Sequence, residues 1–159
     1  MKMNGESFTG PNEALVVLIR NGNPVAFKAR ACLDFSRFNL LCPRPVPKTI
    51  VKVGGAKELL YNDPKFLDAI DHYGKIKTAY VIVESLKATP GLEWEKVKDE
   101  NPTSWVEWRK ELEEAFFTDS EIQKIVSCVW EANGIDDEKL EEARKRFLAG
   151  QDQESEKPT

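Results

Sequence analysis

The sequence predicts an α+β fold, with an N-terminal β-hairpin or small sheet packed on a predominantly helical body of about four helices. Three observations carry that prediction. Residues 14–20 (ALVVLIR) and 25–30 (VAFKAR) are apolar or alternating runs, and Asn21-Gly22-Asn23-Pro24 lies between them. Two such runs around an Asn-Gly pair read as a hairpin. From residue 63 onward, apolar side chains recur three or four positions apart, the period of an amphipathic helix. The segment from Thr89 to Gly150 then divides into three stretches, each with its own start and stop signals.

Along the chain, residues 1–12 form a loose leader. After the hairpin, Asp34 caps a short helix whose Phe35, Phe38 and Leu41 share a face. Pro43, Pro45 and Pro47 end it. Residues 49–53 (TIVKV) form a further strand, stopped by Gly54-Gly55. Asp63-Pro64 opens the longest helix, since proline at the first turn gives up only a donor that would go unused. Phe66, Ile70, Tyr73, Tyr80, Val83 and Leu86 follow on one face, and Ile76 takes the place that strict spacing would give Lys77. Gly74 marks a close packing approach or a bend in that helix. Pro90-Gly91 ends the element.

Asn101-Pro102-Thr103 introduces a helix with Trp105, Trp108, Leu112 and Ala115 at helical spacing. Thr118 and Glu121 fit a capping box. The helix after them carries Ile122, Ile125, Val126 and Val129 as its apolar stripe, and Asn133-Gly134 stops it. Asp136 caps a final helix that turns Leu140, Ala143 and Phe147 inward and ends at Gly150. Its acids come first and its bases last, as the helix dipole favours. Residues 151–159 (QDQESEKPT) contain no aliphatic or aromatic side chain and form a disordered polar tail. Residues 1–150 thus make one domain, of a size that can bury a real core.

Composition narrows the function. The formal charge is -4, and the basic residues are scattered, which argues against nucleic-acid binding through a basic surface. No apolar run has membrane-spanning length, and the polar N-terminus lacks a signal-peptide core. A cytoplasmic protein is expected. Three widely spaced cysteines, Cys32, Cys42 and Cys128, make a poor disulfide framework.

Catalytic signals are lacking. There is no Walker loop or dinucleotide fingerprint, and Gly54-Gly55 stands alone. The single histidine, His72, rules out a multi-histidine metal site. No cysteine has a local pattern that would activate a thiolate. Neighbouring acids such as Glu113-Glu114 and Glu141-Glu142 do not converge on one point of a helix. No enzyme, no cofactor and no metal is expected.

The aromatic residues are the better candidates. Trp94, Trp105, Trp108, Phe116 and Phe117 are the candidate partner-binding residues. Trp105 and Trp108 share a helix face, so core packing competes with a role at a partner surface. Phe116 and Phe117 are adjacent and point in different directions on a helix, which leaves at least one of them for the surface or for locking the turn that follows.

Several strings resemble the tail assembly chaperones of long-tailed bacteriophages. They are Leu33-Asp34-Phe35 with Cys42-Pro43, residues 86–94 (LKATPGLEW), Glu131-Ala132-Asn133-Gly134 and residues 141–148 (EEARKRFL), spread over about residues 14–150. The resemblance implies a small non-enzymatic protein of the host bacterial cytoplasm. It would bind the tape measure protein, keep that long chain soluble and recruit tail tube subunits during tail morphogenesis, then be left out of the mature virion. Self-association into rings or filaments is compatible with that role, and so is a longer frameshifted form. No family residue set transfers to this chain. The alternatives are a structural virion protein of the tail or head–tail connector, and a small regulatory phage protein directed at the host.

Overall fold

The computed structural model describes residues 1–155. In chain order the elements are β1 (Lys2–Met3), β2 (Glu6–Ser7), β3 (Glu13–Arg20), β4 (Asn23–Arg30), α1 (Ser36–Leu41), β5 (Thr49–Val51) and β6 (Lys57–Leu59). The helices α2 (Pro64–Leu86), α3 (Pro102–Trp105), α4 (Trp108–Glu114), α5 (Asp119–Ala132) and α6 (Asp137–Ser155) follow. The fold is α+β. The strands pair as three separate antiparallel hairpins, β1 with β2, β3 with β4 and β5 with β6.

The chain divides into two compact units. The first comprises Met1–Ala31, Ser85–Pro90 and the chain from Ser120 onward. Its centre is the β3–β4 hairpin, paired from Glu13↔Arg30 to Arg20↔Asn23. Asn21 at φ 51° and Gly22 at φ 79° form the two-residue turn, whose left-handed backbone matches the twist of the strands. One face of the hairpin buries Ala14, Leu18, Phe27 and Ala29. On α5 the buried stripe is Ile122, Ile125, Cys128, Val129 and Ala132.

Polar links fasten the hairpin to α5 along its length. Arg20 pairs with Glu121 at 3.0 Å. The Asn12 amide donates to the carbonyls of Glu131 and Ala132 at 3.2 and 3.0 Å, which satisfies acceptors left over at the helix C-terminus. The Thr89 hydroxyl accepts from the Lys28 N–H and donates to the Lys28 carbonyl, both at 2.9 Å. It stands in for one rung of a strand beside β4.

The remaining elements of this unit depart from the sequence prediction. The leader 1–12 contains the small β1–β2 hairpin, turned by Asn4 and Gly5 at φ 53° and 83°. Asp136 does cap α6, its carboxylate accepting the Lys139 N–H at 3.1 Å. However, Leu140, Ala143 and Phe147 are exposed and not turned inward. The helix also runs on to Ser155, past Gly150. Once its apolar stripe is unpacked, nothing at Gly150 forces a stop, since glycine weakens a helix without breaking it. Part of the tail predicted for residues 151–159 is thus helical, and residues 156–159 lie outside the described residues.

The second unit comprises Cys32–Glu84 and Gly91–Asp119. Its core joins Phe38 of α1, Ile76, Ala79, Tyr80 and Val83 of α2, Val97 and Trp105. Aromatic rings dominate it: Tyr80 lies 5.1 Å from Trp105 and 5.3 Å from Phe38 between centroids, within the range of favourable tilted pairs. Ile76 is buried and Lys77 exposed, as the spacing predicts. Asp34 accepts the Ser36 N–H at 2.8 Å just ahead of α1, but the cap position itself falls on Phe35, whose side chain makes no capping bond, and not on Asp34 as expected. Hydrogen bonds from Ser36 hold the Asp34 carboxyl below the usual aspartate range.

Two further differences appear here. The strand at Thr49–Val51 is followed by a partner strand, β6, that the sequence reading did not foresee; Gly54 and Gly55, at φ 100° and 88°, turn the chain between them. The single helix expected after Asn101 is two, α3 and α4. The first is drawn into tight i→i+3 bonds, with the Ser104 N–H on the Asn101 carbonyl and the Glu107 N–H on the Ser104 carbonyl. Trp105 pins this break, because its buried indole N–H donates to the Lys98 carbonyl at 3.0 Å.

Candidate functional site

The five candidate aromatics separate into two groups. Trp94, Trp105 and Trp108 come together around the core of the second unit. Trp105 is only 1% exposed and forms part of that core, so it is unavailable to a partner. Trp94 and Trp108 are half-buried against it. Trp94 sits in the connector before α3, which is tied down by a carboxylate. Glu111 of α4 accepts from the N–H groups of Glu95, Lys96 and Val97, the last two at 3.0 and 3.3 Å. Three successive backbone donors thus enclose one side chain, an arrangement that ordinarily receives an anion.

Trp108 borders an open groove of about 650 Å³ whose other side is α2. Ile70, Gly74 and Thr78 line it from α2, four residues apart and hence on one face; Val106, Trp108 and Arg109 line it from the opposite side. Gly74 therefore does not mark a close approach of two segments: no atom lies within 4 Å of where its Cβ would be. Arg109 is engaged by Glu113 at 3.1 Å and by Asp119.

Phe116 and Phe117 occupy the end of α4. Phe117 donates its N–H to the Leu112 carbonyl at 3.1 Å and Phe116 to that of Glu113 at 3.0 Å. These are the two bonds of a Schellman motif, with Phe116 at the left-handed position. Its φ is 64°, and the residue is 84% exposed. Phe117 is half-buried. The sequence reading thus found one exposed aromatic at the α4 terminus but not the backbone that presents it.

It missed the larger apolar surfaces. On β3, Leu15, Val17 and Ile19 are 63%, 54% and 74% exposed. They line the outer face of the hairpin, opposite Lys28, Ala26 and Pro24. The signal was present in the unbroken apolar run at 14–19, because a strand with one wet face should alternate. On α6, Leu140, Ala143 and Phe147 form a second exposed stripe.

Burial pushes the thiols of Cys42 and Cys128 up, away from the thiolate a nucleophile needs. His72 is exposed on α2, and the neighbouring Asp71 carboxylate is paired with Lys75 at 3.0 Å. Among the described residues, no three His, Cys, Asp or Glu side chains come together as metal ligands, and no helix is long and apolar enough to cross a membrane.

Comparison with protein-family models, with curated protein sequences and with solved structures finds no match.

Proposed function

We propose that this chain is a tail assembly chaperone of a long-tailed bacteriophage, acting by protein–protein binding. The observation that supports protein binding is the stripe Leu140–Ala143–Phe147 on α6, which a capped helix turns outward. Singly exposed apolar side chains are ordinary on any protein. A row of them at helical spacing is a face that docks against an apolar surface of a partner. The assembly role rests on the sequence strings at 33–43, 86–94, 131–134 and 141–148, the last of which contains Phe147. On this reading the clients are the tape measure protein and tail tube subunits. The work is done in the host bacterial cytoplasm, and the mature virion lacks the chaperone. A charge of -4 keeps the protein soluble while it holds an apolar client.

Coexpression tests the reading. The wild-type chain should raise the soluble yield of the tape measure protein and elute with it. The double substitution Leu140→Asp/Phe147→Asp should abolish both effects and leave the chain folded by circular dichroism. Stoichiometric retention of the chain in purified virions would replace the chaperone by a structural virion protein. Absence of any effect on the tape measure protein, with capture of a single host protein instead, would replace it by a host-directed regulator.

A further inference from the structure

The two edges of the β3–β4 hairpin differ. Along β4, the Thr89 hydroxyl occupies both backbone groups of Lys28, and Pro24, which has no N–H, blocks a second position. Thr89 and Pro24 therefore close that edge.

Among the described residues, nothing comparable protects β3. Lys28 sends its N–H and C=O away from its cross-strand partner Leu15. The Arg20↔Asn23 pair closes the two-residue turn. In an antiparallel ladder, bonded and non-bonded pairs alternate. Both observations therefore place Leu15, Val17 and Ile19 at non-bonded positions towards β4, with their N–H and C=O groups directed to the open side. β3 has, among the described residues, no strand beside it other than β4. Among the described residues, no hydrogen bond from another segment reaches these three. Their side chains are exposed as well. Natural edges are blunted by lysine, proline or a bulge, and residues 14–19 contain neither lysine nor proline and pair without a bulge.

Such an edge specifies its occupant more closely than an apolar patch does, because the unused donors and acceptors alternate with strand spacing. We propose that the β3 edge pairs with the same edge of a second copy of this chain, antiparallel about Val17, giving a continuous sheet in the order β4–β3–β3–β4. The segment is self-complementary in that register. Val17 faces Val17 of the second copy, and Leu15 faces Ile19 in both directions. Each residue that points its backbone groups outward meets another that does so, for about six interchain hydrogen bonds. No like charges are brought opposite one another. Glu13 faces Asn21 of the second copy, and its carboxylate is already held by Lys28 and Arg30 at 2.8 and 2.9 Å. Only three outward residues of each strand form the seam, and small contacts of this kind are of the weak, dissociable class.

Sedimentation velocity of the full chain over a micromolar concentration series tests this. The wild type should pass from monomer to dimer. Val17→Pro removes an outward N–H that β4 does not use, and Val17→Lys sets two ammonium groups face to face across the two-fold axis. Each should raise the dissociation constant about tenfold or more with an unchanged circular dichroism spectrum. A wild type that stays monomeric throughout overturns the proposal. So does a dimer that survives Val17→Pro and Val17→Lys.

Discussion

Phe116 occupies, at φ 64°, the same backbone position that Gly134 occupies at φ 70°. Each is the left-handed residue of a Schellman motif, with Phe116 and Phe117 bonded to Glu113 and Leu112, and Gly134 and Ile135 bonded to Glu131 and Trp130. Glycine adopts this conformation without penalty, whereas a side chain in it costs about 1–2 kcal/mol. An exposed aromatic held in a disfavoured backbone conformation is better explained by what it presents than by what it stabilises.

The two sites therefore respond in opposite directions. Phe116→Gly should stabilise the chain by about 1 kcal/mol, and Gly134→Ala, with no neighbour within 4 Å of the new Cβ, should destabilise it by about the same amount. Urea unfolding midpoints at constant m-value check both. If Phe116→Gly lowers stability instead, the ring makes contacts that outweigh its backbone strain.

Gly74 gives a simpler case. It lies in the interior of α2, its surroundings are open, and its φ is not left-handed. Gly74→Ala should stabilise the chain by roughly 1 kcal/mol through helix propensity alone. A loss of stability on thermal unfolding would show that the groove beside Trp108 closes onto that position in solution.

What was legible in the sequence depended on local chemistry. The Asn21-Gly22 turn, the Asp136 cap and the choice of Ile76 over Lys77 are decided by neighbours within a few residues, and each follows the expectation; the cap expected at Asp34 falls one residue later, on Phe35, whose side chain makes no capping bond. The break between α3 and α4 was not, because the indole of Trp105 meets the carbonyl of Lys98 only after the chain folds back. The candidate site suffered most. Periodicity says that Leu140, Ala143 and Phe147 share a face, but it does not say whether anything covers that face. The adjacency of Phe116 and Phe117 points to the surface for at least one of them without saying which, whereas the open edge of β3 requires knowing which backbone groups point where.

Acid should weaken the chain through a small set of surface pairs. Hydrogen bonds from Lys28 and Arg30 lower the pKa of Glu13, and a hydrogen bond from Lys96 lowers that of Glu114. A carboxylate whose folded pKa is depressed stabilises the fold fully above its unfolded pKa of about 4.3 and loses that contribution as pH falls through the lower folded value. Both groups are exposed, so each effect is small and screened by salt. In Glu13→Gln the urea midpoint should fall less between neutral pH and pH values below about 4 than it does in the wild type. An unchanged acid limb would mean that Glu13 is free in solution.

The attachment of the hairpin to α5 has its own reporter in Cys128. This thiol is buried, lies 3.9 Å from the Phe27 carbonyl, and has its pKa pushed up by that burial. It should resist alkylation in the native protein while the half-buried Cys32 and Cys42 react faster. Labelling of Cys128 then measures opening of the hairpin. Thr89→Val removes both bonds to Lys28 and leaves a backbone donor and acceptor of β4 without their partner, at a cost of about 1–3 kcal/mol. Since 1.4 kcal/mol is a factor of ten in an opening equilibrium, Cys128 labelling should accelerate by about tenfold in that variant, and labelling of Cys32 should not. Equal acceleration at both thiols would mean that Thr89 supports global stability and not the hairpin in particular.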